Sequence, residues 1–226
     1  MRIDVWSDIA CPWCYVGKRR LEAALARFSH PVEVVYRSFE LDPGAPRVRD
    51  EQSYVSRLAA KYRLPAAQAQ QMIDRMATTG AEEGLELRFD RARSGNTFDA
   101  HRLLHLALER GVQPAMKERL MRAYFTEGIA IGEAAALAPL AIEVGLAEAD
   151  VQEVLASDRY AADVRRDEQL AGELGITGVP FFVIAGRLGV SGAQLPDVLL
   201  GALEHAWTET GGEPAVQGPV CGPDGC

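Results

Sequence analysis

Two pairs of cysteines are the residues of this sequence whose type and spacing could support chemistry. Cys11 and Cys14 form the motif Cys-Pro-Trp-Cys near the N-terminus, and Cys221 and Cys226 form a Cys-x4-Cys motif at the C-terminus. The chain has no other cysteine among its 226 residues. Four cysteines are too few for a disulfide scaffold in a chain of this length, so the two pairs favour redox or metal-binding chemistry.

The spacing of Cys11 and Cys14 is typical of a redox-active dithiol. Such a catalyst needs one thiolate that attacks a disulfide and a second thiol that resolves the mixed disulfide. If a helix begins at the first cysteine, both sulfurs share one turn, and the partial positive charge of the helix N-terminus favours a thiolate there. We therefore expect Cys11 to be the exposed nucleophile with a lowered pKa and Cys14 the buried resolving thiol. Pro12 and Trp13, between them, are expected to contact the substrate.

The alternative for the first pair is half of a metal site. A four-cysteine zinc site needs a second pair of matching geometry, and the C-terminal pair has a different spacing. For Cys221 and Cys226 three interpretations stay open: an auxiliary redox pair that exchanges with the first dithiol, a pair of soft-metal ligands, or a passive tail. The turn-forming residues Gly-Pro-Asp-Gly between them would bring the two sulfurs together, and we favour redox exchange.

The elements around Cys-Pro-Trp-Cys have the pattern of a βαβ unit. Residues 2–7 alternate apolar and polar side chains, which predicts a strand. Leu21, Leu25 and Phe28 form the apolar stripe of a helix, and the β-branched and aromatic run at 32–39 predicts a second strand. Two strands joined through a helix in this way are parallel. The cysteine pair then lies between the first strand and the helix.

The rest of the chain predicts a helical block, a hairpin and a closing helix. Apolar stripes indicate helices from about residue 50 to residue 174, with a polar, glycine-containing interruption at 84–96. The runs 178–184 and 188–191 flank a turn and predict an antiparallel hairpin. A last stripe at 195–206 predicts a helix. This order predicts an α/β core whose halves are separated by a helical insertion.

Pro180 is the second candidate element of the site. It begins the apolar run of the hairpin, where a proline is tolerated only at an edge or a first position. A cis bond between Val179 and Pro180 would leave the Val179 backbone free to pair with an extended substrate.

Taken together, these motifs resemble the DsbA family of the thioredoxin superfamily, and more narrowly its FrnE-like branch. The resemblance spans residues 1 to about 209 and is carried by Asp-Ile-Ala-Cys-Pro-Trp-Cys at 8–14, Asn-Thr-Phe-Asp-Ala-His-Arg at 96–102, Gly-Ile-Thr-Gly-Val-Pro-Phe-Phe-Val-Ile at 175–184 and Val-Ser-Gly-Ala-Gln at 190–194. It implies an α/β thioredoxin fold with a large all-helical insertion, protein disulfide oxidoreductase or isomerase activity, and Pro180 in cis. The terminal Cys-x4-Cys looks like the extension of some FrnE proteins.

The resemblance divides the chain into three parts. Residues 1–42 and 157–209 form a discontinuous thioredoxin-like domain, residues 43–156 form the helical insertion domain, and residues 210–226 form a flexible tail that carries the second cysteine pair.

Four polar residues are further candidates. Asp8, three residues before the first cysteine, is a candidate proton relay for the second cysteine, and its alternative is a loop or cap residue. His101 and His105 have a helical spacing that can bind a metal, but further ligands are missing, so we favour cleft lining or packing. Asn96 borders the same cleft by the family resemblance.

Charge and hydropathy exclude several classes of protein. The net charge is −8 and basic residues do not cluster, so we expect no nucleic-acid partner. The longest uncharged run, residues 174–186, has 13 residues, whereas a membrane-spanning helix needs about 18, so we expect no membrane partner. The N-terminus has no apolar signal segment, which favours a cytoplasmic location.

The main hypothesis is therefore a cytoplasmic thiol–disulfide oxidoreductase. Its substrates would be protein thiols and disulfides, its electron partner a cellular thiol reductant or glutathione, and its redox-active disulfide would serve in place of a cofactor or metal. Two alternatives stay open. One is a glutathione-dependent transferase or isomerase of the kappa or hydroxychromene-carboxylate type on the same fold, which places a serine at the position of Cys11. The other is a soft-metal-binding thiol protein.

Overall fold

The sheet contains the predicted βαβ unit and hairpin. The computed structural model describes residues 1–47 and 52–211. Its four strands are β1 (Arg2–Ser7), β2 (Glu33–Ser38), β3 (Phe181–Ile184) and β4 (Leu188–Ser191). They lie in the order β2-β1-β3-β4, with β1 parallel to β2 and β3 antiparallel to both β1 and β4. The α/β class is confirmed. Strand β1 lies inside the sheet, and the cysteine pair follows its C-terminal end.

Helices form the rest of the described chain. Their bounds are α1 (Pro12–Leu25), α2 (Tyr54–Tyr62), α3 (Ala66–Glu82), α4 (Phe98–Glu109), α5 (Gln113–Arg122), α6 (Ala134–Glu143), α7 (Glu148–Ala156), α8 (Ala161–Glu173) and α9 (Pro196–Glu209). A short π-helical segment, Ala123–Glu127, continues α5. The polar stretch at 84–96 has no helix or strand, as predicted. The domain boundaries at 42 and 156 stay a prediction.

The central strand β1 buries side chains on both faces of the sheet. Ile3 and Val5 pack in one apolar cluster with Leu203 of α9, while Trp6 packs on the opposite face with Ile176. This alternation follows from the period of two residues in a strand. Burial on both faces fixes the register of β1 and therefore the position at which the chain leaves the sheet towards the cysteines.

The helices after β2 form a wall against the cysteine pair. Cys11 and Cys14 belong to the same buried apolar cluster as Leu103 of α4 and Leu120 of α5. The two sulfurs are therefore enclosed by elements that follow them in the chain by many residues, and the helical block is part of the site.

Two residues near helix ends depart from the usual end signals. Gly80 lies inside α3, and its missing side chain leaves room for Leu87, since a Cβ there would come 2.6 Å from Leu87 Cδ1. Thr97 precedes α4, but its side chain makes no capping hydrogen bond. The first free N–H of the helix, that of Phe98, is bound instead by Asn96 Oδ1 at 2.9 Å.

Candidate active site

The cysteine pair lies at the N-terminus of α1. Cys11 is the N-cap residue with an extended backbone, and Pro12 occupies the first turn, where its missing N–H is no loss. The N–H groups of Cys14 and Tyr15 donate to Cys11 O at 3.1 and 3.3 Å. Both cysteines are free thiols. The helical turn that the sequence predicts between the two sulfurs is therefore present.

Cys11 is not exposed, contrary to the expectation from the sequence. Its exposed fraction is 4%, and that of Cys14 is 2%. Between them Pro12 is buried, whereas Trp13 is 41% exposed, and the substrate contact expected of both residues stays a prediction. Cys11 is covered because the helical block and Val179 pack against the start of α1. In this conformation Trp13 is the side chain of the motif that faces solvent.

The loop before β3 lies against the first cysteine. Cys11 Sγ is 3.7 Å from Val179 O, the Val179–Pro180 peptide bond is cis, and Pro180 is buried. Pro180 O accepts a hydrogen bond from Gly192 N at 2.8 Å, which ties this loop to the end of the hairpin. The structure thus brings together the two motifs that are 168 residues apart in the chain.

Gly17 allows α1 to approach this loop, and alanine there is expected to destabilise the protein. A Cβ on Gly17 would lie 2.9 Å from Pro180 Cγ and 3.4 Å from Phe182 Cζ. Overpacking of this kind costs about 1–3 kcal/mol. Gly201 on α9 is the matched control, because nothing lies within 4 Å of its Cβ position. Gly201→Ala should raise the free energy of unfolding by up to about 1 kcal/mol. Denaturant unfolding measures both, and a Gly17→Ala protein as stable as the wild type would contradict the contact.

The pKa values of the two thiols are shifted in opposite directions. The hydrogen bond to Cys14, together with burial, raises the pKa of Cys11 well above its usual value. Burial also raises the pKa of Cys14, but the hydrogen bond from the Cys11 thiol and the positive charge of Lys117 outweigh it, and the net pKa is lowered. Of the two thiols, Cys14 is therefore the one that loses its proton first, which reverses the expected order. Because the two thiols interact, each proton released in a titration is lost by the pair and not by one sulfur alone.

Asp8 and His101 form a buried pair beside the dithiol. Asp8 Oδ2 accepts a hydrogen bond from Leu41 N at 2.8 Å, and its Oδ1 lies 3.4 Å from His101 Nε2. Burial raises the pKa of Asp8, but His101 and the Leu41 N–H outweigh it, so Asp8 stays a carboxylate. Burial lowers the pKa of His101, which keeps the imidazole neutral at pH 7. Asp8 is thus more than a loop residue, and its role as a proton relay stays a prediction.

Lys117 is the residue of this site that the sequence analysis missed. Its side chain is fully buried, its ammonium donates to Ser7 O at 3.2 Å, and it lies 5.7 Å from the centre of the Tyr36 ring. Burial lowers its pKa to about 8, although the charges of Cys14 and Asp8 oppose this shift. Lys117 lies 110 residues after Ser7, and no local pattern on α5 points to it.

Asn96 and His105 serve other contacts. Asn96 Nδ2 donates to Glu40 Oε1 at 3.3 Å and to Pro43 O at 3.2 Å, beside the loop that Asp8 holds. His105 Nε2 lies 3.2 Å from Asp167, so the two histidines of α4 have different carboxylate partners. Within residues 1–47 and 52–211, no group of three or more metal-binding side chains is arranged to hold an ion.

Two further expectations concern the ends of the chain and the membrane. Cys221 and Cys226 lie outside the described residues, so their redox or metal role stays a prediction. None of the helices in the described part of the chain has the length and apolar character needed to cross a membrane.

Comparison with known proteins places the chain among characterised folds. The model of the DSBA-like thioredoxin domain matches residues 2–204. The uncharacterized protein YwbO of Bacillus subtilis is 31% identical over 201 residues, which is 88% of this chain and 93% of YwbO. The crystal structure of the probable DsbA oxidoreductase SCO1869 from Streptomyces coelicolor is 47% identical, with a TM-score of 0.88 over 100% of this chain and 98% of that one. A 2-hydroxychromene-2-carboxylate isomerase is 15% identical, with a TM-score of 0.70 over 93% and 98% of the two chains, a likeness of fold alone.

Proposed function

Because the chain belongs to the DSBA-like thioredoxin family, we propose that it is a thiol–disulfide oxidoreductase whose reaction is carried by Cys11 and Cys14. The observation that carries this proposal is the geometry at the start of α1, where two free thiols share one helical turn beside Val179 O. A thiolate with a neighbouring thiol is the arrangement that disulfide exchange needs.

The first step transfers a substrate sulfur to Cys11. In the resting dithiol, Cys11 holds the proton and Cys14 the charge, so the Cys11 proton passes to the Cys14 sulfur as a substrate disulfide approaches. The Cys11 thiolate then attacks one substrate sulfur. The substrate S–S bond breaks, a mixed disulfide forms on Cys11, and one substrate thiolate leaves.

The second step returns the proton and closes the disulfide. Cys14 gives its proton to the departing substrate thiolate, and the resulting Cys14 thiolate attacks Cys11 Sγ. The mixed disulfide breaks, a Cys11–Cys14 disulfide forms, and the second substrate thiolate leaves. The substrate gains two electrons and the dithiol loses two, which a cellular thiol such as glutathione restores. Run in reverse, the same steps oxidise a substrate dithiol, and incomplete resolution leads to isomerisation.

Substrate contacts are expected around the exposed face of the motif. Trp13 offers an exposed apolar ring, and the Val179 backbone lies beside the attacking sulfur. We include Asp8 and His101 as a relay that moves a proton to or from Cys14, because both are buried and their side chains lie 3.4 Å apart. The proposed substrates are protein disulfides and thiols, and the proposed compartment is the cytoplasm.

The narrower parts of the proposal concern the FrnE-like branch and the C-terminal pair. We include an exchange of electrons between Cys221–Cys226 and the first dithiol, which the sequence favours over metal binding. The glutathione-dependent alternative is supported by the likeness of fold to the isomerase, but Cys11 stands where that class has serine. The soft-metal alternative would use all four cysteines and so needs the C-terminal pair, because the described residues hold no group of three or more metal-binding side chains.

A redox titration tests the proposed dithiol. The full chain is equilibrated with mixtures of reduced and oxidised glutathione, free thiols are alkylated, and peptides are identified by mass. We expect a reversible Cys11–Cys14 disulfide that forms and disappears as a two-electron couple. Persistence of both cysteines as free thiols at every glutathione ratio would contradict the proposal.

A further inference from the structure

The buried ammonium of Lys117 lacks the partners that such a group requires. A lysine ammonium has three donors, and burial of a charge is costly unless it is paired and hydrogen-bonded. In the described residues this group has one hydrogen bond, to Ser7 O, and no ion pair with a carboxylate. The side chain is fully buried, and besides this one bond the ammonium lies 5.7 Å from the centre of the Tyr36 ring.

The buried carboxylate of Asp8 already has other partners. Asp8 accepts bonds from the N–H groups of Leu41 and Ala10 and faces His101, and it forms no ion pair with Lys117. The Ser7 hydroxyl, at the end of β1, is buried beside Cys14, and its hydrogen bond helps to lower the pKa of that thiol. The group that can balance the ammonium is then the reduced dithiol, which holds a single negative charge.

The titratable and charged groups that face Lys117 come from four elements or loops. They are Asp8 after β1, Tyr36 on β2, His101 on α4, and Cys11, Cys14 and Lys18 on α1. Lys18 is engaged by Glu22 and Glu118, each at 2.6 Å. Asp8 is ionised and His101 neutral in both redox states, so the sulfurs are the groups whose charge changes on oxidation.

We propose that Lys117 is a positioning residue that stabilises the negative charge of the reduced Cys11–Cys14 pair and thereby sets how readily the disulfide is reduced. The inference rests on the proposed function, because it assumes that this pair cycles between dithiol and disulfide. While Lys117 stays protonated in both redox states, reduction takes up two electrons and one proton, giving one thiol, one thiolate and an ammonium. Without the ammonium, reduction takes up two electrons and two protons, because neither sulfur keeps a charge near neutral pH.

The number of protons taken up on reduction can be measured, and a lysine with only a structural role would not change it. In glutathione equilibria of the full chain, the wild-type dithiol is expected to become more favoured as the pH rises, up to the pH at which Lys117 loses its proton in the disulfide state, because a thiolate is populated while the ammonium stays intact. In Lys117→Met this dependence should disappear. If the substitution raises the pKa of the thiolate-forming sulfur by one unit, the equilibrium should shift about tenfold towards the disulfide at neutral pH.

Lys18→Met is the matched control. It removes a second buried lysine, 4% exposed, that bonds carboxylates instead of the sulfurs. It should keep the wild-type equilibrium within about twofold, which is well below the tenfold change that one pKa unit brings. A folded Lys117→Met protein with the wild-type equilibrium and pH dependence would overturn the proposal, as would an equal shift in both variants.

A measurement on the unaltered protein covers the case in which Lys117→Met does not fold. The chain has three lysines, Lys18, Lys61 and Lys117, so carbon-labelled lysine gives three resolvable NMR signals. The Lys117 signal should titrate at lower pH in the disulfide state than in the dithiol state, because the thiolate that favours the ammonium is gone. The same titration in both states would overturn the proposal. Neither measurement uses a protein substrate. If Lys117 and the dithiol were coupled but the protein did not turn over a substrate, only the proposed function would be contradicted.

Discussion

Replacing Cys11 with serine is expected to abolish catalysed reduction of insulin by dithiothreitol. Loss of a nucleophile that acts as one unit with its neighbours lowers turnover by about a thousandfold or more. A serine hydroxyl does not form the mixed disulfide, and Cys14 is left without the neighbouring thiol that would resolve a mixed disulfide. The measurement is the rate at which insulin precipitates, compared with dithiothreitol alone.

Two controls belong with this variant. Cys221→Ser leaves the first pair intact and is expected to retain the wild-type rate, since dithiothreitol reduces the Cys11–Cys14 disulfide directly. Thermal unfolding of Cys11→Ser should match the wild type, because a hydroxyl replaces a thiol of similar size. A rate for Cys11→Ser equal to that of the wild type would refute the assignment of Cys11 as the attacking sulfur.

Asp167→Asn is expected to cost about 3 kcal/mol of stability at neutral pH, because it breaks a buried charged network. Asp167 is 3% exposed and accepts hydrogen bonds from Ser38 N at 3.0 Å and Arg37 Nη1 at 2.9 Å. His105 Nε2 lies 3.2 Å from the same carboxylate. These contacts join β2, α4 and α8, so the carboxylate fixes the helical wall to the sheet.

The effect of Asp167 has a defined pH dependence. Burial raises the pKa of Asp167, but His105, the Ser38 N–H and Arg37 outweigh it, and the net pKa in the folded protein is lowered. A lowered folded pKa means that the stabilisation is complete above the unfolded value of about 3.9 and is lost as the pH falls through the folded value. The difference between wild type and Asp167→Asn should therefore be constant above about pH 5 and shrink in acid.

Asp163→Asn, on the same helix, is the control for this prediction. Asp163 is 34% exposed and, among the described residues, pairs with Arg166 alone, so its replacement should cost no more than about 1 kcal/mol. Denaturant unfolding at several pH values gives both free energies. Equal losses for the two variants, or a loss at Asp167 that does not depend on pH in acid, would contradict the network.

The parts of the fold that the sequence predicts well depend on local patterns. The alternation in β1, the proline after Cys11 and the apolar stripe of α1 each act within a few residues, and together they locate the cysteine pair at a helix N-terminus. The hairpin at β3 and β4 is equally local. Gly80 leaves room for the Leu87 side chain, so this glycine alone does not mark the end of α3.

The electrostatics of the site could not be predicted in the same way. The burial of Cys11 results from helices that follow it by many residues, and the charge on Cys14 depends on Lys117, which nothing in its own neighbourhood marks as unusual. Helix-dipole reasoning alone favoured a thiolate at Cys11. The buried ammonium and the hydrogen bond between the sulfurs outweigh it in the reduced state. Motif spacing thus located the reacting atoms, whereas their protonation required the tertiary structure.

The most direct test of the account is to identify the sulfur that carries substrate in Cys14→Ser. This variant keeps Cys11 and removes the resolving thiol, so a mixed disulfide with a cysteine-containing peptide should accumulate instead of turning over. Peptide mapping by mass then locates the attachment. The account predicts that the peptide is bound to Cys11, with no such adduct in Cys11→Ser. An adduct confined to Cys221 or Cys226, or no adduct at all on a folded protein, would contradict it.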